Sequence, residues 1–524
     1  MIDRTRRHKL LKEVSEILAN AYPQILIIYI IAVYLAYSGH IYVGMLNFEL
    51  FALILGILGV LYVKNRHEIH IPPWILIIPT IFMLITRISP YIKNNIPLGY
   101  DPGIYKYIFD IYFYNLPYLP LKLESWINVG YPPGLFIFGD LIHIAGVSST
   151  DIIKFGQIIL QIMLIPAVYA TTKNQFGKNA AIISTFLVSA SLPQFMVFWH
   201  SYYKNMLGII LMLSSIYLYD SKRYIPSAIL AGFLGGVHRP TFMILLTSIL
   251  IHSIITRRVM PFITAIVATF ISFIFYLNTY KNAIFQIIIQ LTKAQIGGGT
   301  FLNIKIYESV AIGYLPFGIL GFIYYIAKIK KISPISIWLI LTTFIVYFKV
   351  IFYNRFIIHF DMAILIFASF GFSLLMKTNK RIGTIALILL VGSSAWMVYS
   401  KSSVAEPLIS QSELKSIEYL KKTESNAFVI STSSHYSPWL LGYSNRKVIA
   451  PGLFEYDKWD IDEWKEFWNT DNSLKAVEML SIYEKPLYIY VGKYSPVNIK
   501  KFDSECFNVF YSDNKSTTIY KLIC

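Results

Sequence analysis

Acidic residues are nearly absent from the middle of this chain. Between Ile152 and Ala405 only Asp220, Glu308 and Asp361 carry a carboxylate. Charge of either sign is scarce overall: 14% of the 524 residues are charged and 56% are hydrophobic. A soluble globule carries about a quarter charged residues, so a soluble fold of this length is excluded. Cysteine is scarce too. Cys506 and Cys524 both lie near the C-terminus, without metal-ligand spacing, and their positions alone do not fix whether they pair. No internal repeat and no low-complexity tract is found. The chain opens with Arg4, Arg6, Arg7, Lys9 and Lys12, then the apolar block 22–37, with no small-residue cleavage site after it, which reads as a retained anchor.

What is present is a series of apolar blocks, most of them near the length needed to cross a bilayer. They run over 25–37, 48–63, 74–89, 152–170, 179–197, 206–219, 225–237, 242–255, 259–277, 310–327, 335–350, 356–376 and 382–399. This pattern predicts an α-helical polytopic membrane protein with about thirteen spans. The net charge of +17 is scattered between the blocks, not gathered on one face, which argues against nucleic acid as a partner. With the N-terminus placed in the cytoplasm, each inward loop is basic. These loops hold Lys64 and Arg66, Lys173 and Lys178, Lys222 and Arg223, Arg257 and Arg258, Lys328 to Lys331, and Lys377 to Arg381. An odd number of spans then puts everything after Tyr399 outside the cell membrane.

Two domains are expected: 1–400 in the membrane and 401–524 as a small extracytoplasmic α/β domain. In the tail, Ser410-x-x-Glu413 is a capping-box pattern ahead of Leu414, Ile417 and Leu420 at helical spacing. Segments 428–430, 447–449 and 487–491 read as buried strands, and 509–511 with 518–522 as a hairpin. Two outer loops complete the outward side. Loop 90–151 is aromatic-rich and holds an interfacial helix over 135–144; loop 278–309 contains Gly297-Gly298-Gly299.

An ion-driven transporter keeps ionisable groups near the membrane midplane. Here the spans are almost free of acids and the polar residues gather at their outer ends, which favours a reaction site at the outer surface. The first outer loop opens Gly99-Tyr100-Asp101-Pro102-Gly103-Ile104-Tyr105-Lys106. Asp101 suits an N-cap with Pro at the first helical position. It also suits a base at the membrane–water boundary, and a capping Asp held in place serves both purposes.

Asp-Pro-x-x-Tyr-Lys from Asp101 to Lys106 resembles a run in oligosaccharyltransferase catalytic subunits. Tyr131-Pro132-Pro133-Gly134 resembles a stretch of protein O-mannosyltransferases and aminoarabinose transferases. All three groups are membrane glycosyltransferases of the GT-C fold. The resemblance implies a GT-C-like enzyme that moves a hexosyl or pentosyl unit from a polyprenyl-phosphate donor, such as a dolichyl phosphate, to a protein, lipid or glycan acceptor. It implies Asp101 as the catalytic residue and inversion by single displacement. Arg355, in Tyr353-Asn354-Arg355, is similar to the family arginine that binds the lipid phosphate. Lys204, His238, Arg239 and Lys106 are the further donor-site candidates. Tyr105, His200 and Glu308 are candidate acceptor or loop contacts. Glu308 lies in Lys305-Ile306-Tyr307-Glu308, where oligosaccharyltransferases keep Thr-Ile-x-Glu.

The departures matter as much. Where oligosaccharyltransferases carry a second acidic motif, this chain reads Trp199-His200-Ser201-Tyr202-Tyr203-Lys204-Asn205, without an acid. Their Trp-Trp-Asp motif is replaced by His435-Tyr436-Ser437-Pro438-Trp439. The expectation is therefore an enzyme without a metal cofactor. A true oligosaccharyltransferase, and a transporter or flippase of lipid-linked saccharides, are the alternatives. Snorkelling or head-group anchoring remains open for Lys204 and for each arginine.

Overall fold

A computed structural model of the protein describes residues 4–39, 48–64, 67–115, 132–277, 301–350, 352–450, 458–513 and 516–524. The Gly297–Gly299 run, Tyr131 and Arg66 lie outside the described residues. Helices α1 (Arg4–Tyr37), α2 (Phe48–Tyr62) and α3 (Ile77–Lys93) lead to α4 (Pro102–Asn115) and α5 (Gly134–His143) of the first outer loop. Next come α6 (Gln157–Phe176), α7 (Lys178–Ala190), α8 (Leu192–Trp199), α9 (Tyr203–Asp220), α10 (Tyr224–Val237), α11 (Arg239–Thr256) and α12 (Val259–Ile274). After them stand α13 (Ile304–Ala311), α14 (Leu315–Tyr324), α15 (Pro334–Tyr347), α16 (Tyr353–Thr378) and α17 (Lys380–Ser403).

Among the described residues, six helices are long and apolar enough to cross a membrane, or up to eight if two bent pairs each count as one span. The thirteen apolar blocks do not all become long straight helices. Glu49–Tyr62, Tyr224–Val237, Val259–Ile274 and Pro334–Tyr347 are shorter apolar helices. At about 1.5 Å per residue such helices fall short of the roughly 30 Å hydrocarbon layer. Two blocks read as single spans are broken. Block 179–197 bends by 52° between α7 and α8, and block 310–327 bends by 86° between α13 and α14. Each break has a local cause. Pro193 and Pro316 stand in the first turn after it, where a missing N–H is tolerated. Ser191 caps α8 by accepting the Gln194 N–H at 3.2 Å.

Helix α16 is the axis of the bundle, buried along the whole of its most apolar stretch. It reaches α14 through two glycines. A Cβ on Gly321 would strike the Phe367 carbonyl, and one on Gly371 would strike that of Phe317. Small residues at such crossings let two backbones approach closely.

The tail is a small mixed sheet with helices, in line with the expected short buried strands and hairpin. Strands β1 (Phe428–Ser431), β2 (Lys447–Ile449), β3 (Leu487–Val491), β4 (Phe507–Ser512) and β5 (Thr518–Leu522) stand in the order β2-β1-β3-β5-β4. The β1 pairings are parallel, and β5 runs antiparallel to β3 and β4. Side chains alternate between faces. Val429, Tyr488, Tyr490 and Ile519 join a core continuous with the bundle. Ile430, Ile489 and Leu522 face a second core with Trp464, Phe467 and Leu480. Helix α18 (Gln411–Tyr419) starts at the expected capping box, with the Ser410 N–H donating to Glu413 at 2.8 Å. Cys506 and Cys524 are joined in a disulfide.

The tail docks on the segment between α3 and α6. Its helix α19 (Ser437–Tyr443) lies against α4 so closely that a Cβ on Gly103 would run into the Pro438 carbonyl, and one on Gly442 into that of Gly103. The Tyr100 hydroxyl donates to the Ser434 carbonyl at 2.7 Å.

Candidate functional site

Asp101 stands where this docking fixes the backbone. Its carbonyl accepts the Tyr105 N–H at 3.0 Å and so opens α4, with Pro102 as the first helical residue. Gly99, at φ +88°, brings the chain against the His200 backbone, where a side chain would collide. The Ser201 hydroxyl donates to the Leu98 carbonyl and closes the contact. The first outer loop and the α8–α9 turn are thus stitched together beside Asp101.

That stitching brings the starts of several helices of the bundle to one place. Burial raises the Asp101 carboxyl above the usual aspartate range, and the charges of Lys204 and Arg355 oppose the rise. Lys204, at the start of α9, also feels Arg239 and Arg355. Arg239, in the first turn of α11, lies 5.4 Å over the Tyr276 ring. Arg355, in the first turn of α16, lies 5.8 Å over the Tyr202 ring. His238 caps the α11 end, and its ring donates to or accepts from Thr241 Oγ1 at 2.6 Å. Thr241 in turn meets His359 Nε2 at 3.0 Å. One carboxylate therefore faces two basic side chains, Lys204 and Arg355, with Arg239 beside Lys204, an arrangement suited to an anion beside a base.

The remaining candidates fall elsewhere. Lys106 forms an ion pair with Asp110 one turn along α4 and lies 5.4 Å over the Tyr443 ring of the tail. Glu308 lies 3.5 Å from Lys305 and accepts from Tyr347 at 3.0 Å, while Lys305 also pairs with Glu49 at 2.6 Å. The charges that act on Asp101 come from Lys204 and Arg355, with Glu308 outside that set. Tyr105 is core, 5.5 Å from the Tyr203 ring and 6.2 Å from Phe136. His200 adjoins the site, flanked by Trp199, Tyr202 and Phe301. Burial pushes its imidazole below the usual histidine range.

Sequence reading passed over Tyr202, Thr241 and His359. His359 follows Arg355 by four residues, one turn deeper on the same face of α16, and that spacing was the available signal. Among the described residues no group of three or more His, Cys, Asp or Glu side chains is gathered. The positive charges of Lys204 and Arg355 beside Asp101 oppose a divalent cation at its carboxylate.

The fold is similar to that of solved GT-C membrane glycosyltransferases, at low sequence identity. Among solved structures, the archaeal oligosaccharyltransferase AglB from Archaeoglobus fulgidus, in complex with an inhibitory peptide and a dolichol-phosphate, matches with a TM-score of 0.63 and 14% identity over 85% of this chain and 74% of that one. ArnT from Cupriavidus metallidurans bound to undecaprenyl phosphate matches at 0.56 and 10% identity, over 86% of this chain and 98% of that one. The arabinofuranosyltransferase AftD from Mycobacteria matches at 0.53 and 11% identity, over 87% of this chain and 42% of that one. No protein-family model matches the chain. No curated protein matches it by sequence.

Proposed function

We propose that this protein is a glycosyltransferase that moves a sugar from a polyprenyl-phosphate carrier to an acceptor on the outer face of the cell membrane. The observation that carries the reading is Asp101 facing Lys204 and Arg355, with Arg239 behind them. Two solved structures of similar fold hold a polyprenyl phosphate, dolichol-phosphate in AglB and undecaprenyl phosphate in ArnT.

In this reading Asp101 takes the proton from the acceptor's nucleophile as that atom bonds to the anomeric carbon. The bond from that carbon to the carrier oxygen breaks, and the phosphate leaves with the electron pair. Arg355, Lys204 and Arg239 stabilise the charge that develops there. Attack opposite the leaving group inverts the anomeric centre. The cationic surroundings of Asp101 support a reaction that needs no divalent metal. Basic inward loops support a cytoplasmic N-terminus and an external tail. Bundle grooves would hold the carrier's chain among membrane lipids, and the acceptor is a protein, lipid or glycan.

Purified protein in proteoliposomes, given polyprenyl-phosphate sugars and a mixture of acceptors, should form a new glycosidic bond that persists in EDTA. Movement of the intact donor across the bilayer without bond formation would identify a flippase instead. Activity lost in EDTA and restored by magnesium or manganese would overturn the metal-free mechanism.

A further inference from the structure

Asp361 is the one acid inside the long central helix, and the reaction proposed above does not use it. It is fully buried in α16. A buried carboxylate is costly unless its oxygens are well supplied with donors. Here Oδ2 accepts from Ser191 Oγ at 2.9 Å and from Gln194 Nε2 at 2.8 Å, and Oδ1 accepts from the Tyr314 hydroxyl at 2.5 Å. Those donors are not scattered. Ser191 is the residue at the α7–α8 break, and Gln194 is in the first turn beyond it. Tyr314 is the residue at the head of α14, at the second break. One side chain of α16 therefore fastens both bent helices of the bundle.

Each fastened element leads to the cationic site. From Ser191, the short helix α8 runs to Trp199, and the turn through His200 and Ser201 delivers Lys204. Along α16, Arg355 stands six residues before Asp361, roughly 9 Å up the helix. On the third arm, α13 runs back from the Tyr314 break to the segment of Phe301, whose ring lies 5.8 Å from that of Tyr202, the ring under Arg355. Broken helices have no continuous ladder of backbone bonds to hold their angle, so the angle depends on what clamps the break.

We propose that Asp361 is a positioning residue that clamps the two helix breaks onto α16 and thereby sets where Lys204 and Arg355 stand relative to Asp101. This rests on the reading of Asp101 as base and Arg355 as phosphate ligand. It adds a residue that touches neither reactant.

The test uses purified full-length protein and two readouts that lowered stability alone would not move. The first is the acidic limb of the pH profile for transfer. The charged and titratable groups around Asp101 are Tyr100, Lys204 and Arg355, with Arg239 and His238 behind Lys204. If Asp361→Ala lets the cations drift from Asp101, the limb moves to higher pH, as it should in Lys204→Met. The second readout is affinity for polyprenyl phosphate, expected to weaken about tenfold through Arg355. Asp361→Asn should restore both, because its carbonyl can accept from Ser191 and Gln194 while its amide donates to Tyr314. An Asp361→Ala protein with fewer active molecules but an unmoved limb and unchanged donor affinity would overturn the proposal. If that variant does not fold, Gln194→Ala and Ser191→Ala remove donors without burying a new charge. Both should move the two readouts in the same direction, and unchanged readouts would again overturn it. A limb that survives in Asp101→Asn would mean the base reading has failed, and donor affinity then decides the role of Asp361 alone.

Discussion

Replacing Arg355 by alanine is the perturbation whose size can be worked out most fully. Its guanidinium projects from the first turn of α16, partly open to solvent and 5.8 Å over the Tyr202 ring. A hydrogen bond to a charged group contributes about 1.5–3 kcal/mol. Each 1.4 kcal/mol is a factor of ten in affinity, so alanine should weaken binding of the carrier phosphate by roughly 10- to 150-fold. Lysine keeps the charge but loses the planar fork, and should recover only part of that loss. The arginine's charge also holds the Asp101 carboxyl down against burial. Its removal therefore raises the carboxyl further, and because the base must be deprotonated, activity should fail at a higher pH than in wild type. Titration calorimetry with a short-chain polyprenyl phosphate in detergent reads the first effect, and a transfer profile from pH 4 to 8 reads the second. Donor affinity within twofold of wild type in the alanine variant, with an unmoved acidic limb, would make Arg355 a head-group anchor and refute the reasoning.

Three further outcomes are expected. Lys204→Met should also shift the acidic limb upward, because Lys204 opposes the raised Asp101 carboxyl from α9; the pH profile of kcat/KM checks this. Gly103→Ala should push α19 off α4, since its Cβ has no room beside the Pro438 carbonyl, at a cost of about 1–3 kcal/mol. Transfer should then fall at least tenfold while the bundle stays folded, as helical circular dichroism against heating would report. In the tail, Lys521 and Tyr488 hold the exposed Glu424 carboxyl down to about 2. A carboxyl depressed on folding contributes stability above its unfolded value near 4.5, and that contribution is lost as pH falls towards 2. The tail's unfolding midpoint, followed by tryptophan fluorescence of the full-length protein, should drop over that window in wild type and less so in Glu424→Gln.

Much of the architecture could be read from the sequence because the signals were local. Apolar blocks, the Ser410–Glu413 capping box and the short buried strands at 428–430 and 487–491 each need only neighbours in sequence. The breaks at Ser191 and Tyr314 did not show, because their hydropathy is continuous and the hydrogen bonds that Ser191 and Tyr314 give to Asp361 come from distant parts of the chain. Of the proposed site, Asp101, Lys204, Arg239 and Arg355 stood out in the sequence as polar residues stranded at helix ends. Lys106 and Glu308 shared that signature, yet ion pairs with Asp110 and Lys305 occupy them, which only the fold reveals. His359 was hidden inside an apolar helix, its one clue being its spacing from Arg355.

The central claim rests on the carboxylate of Asp101, and Asp101→Asn tests it most directly. Asparagine has nearly the same shape and caps a helix about as well, but it cannot take a proton near neutral pH. The measurement is single-turnover transfer by wild-type and variant protein, matched for folded amount and with donor binding measured in parallel. The account predicts donor affinity unchanged within a few-fold and transfer reduced by about a hundredfold or more. Transfer at the wild-type rate in the asparagine variant would contradict it and leave Asp101 as the cap of α4.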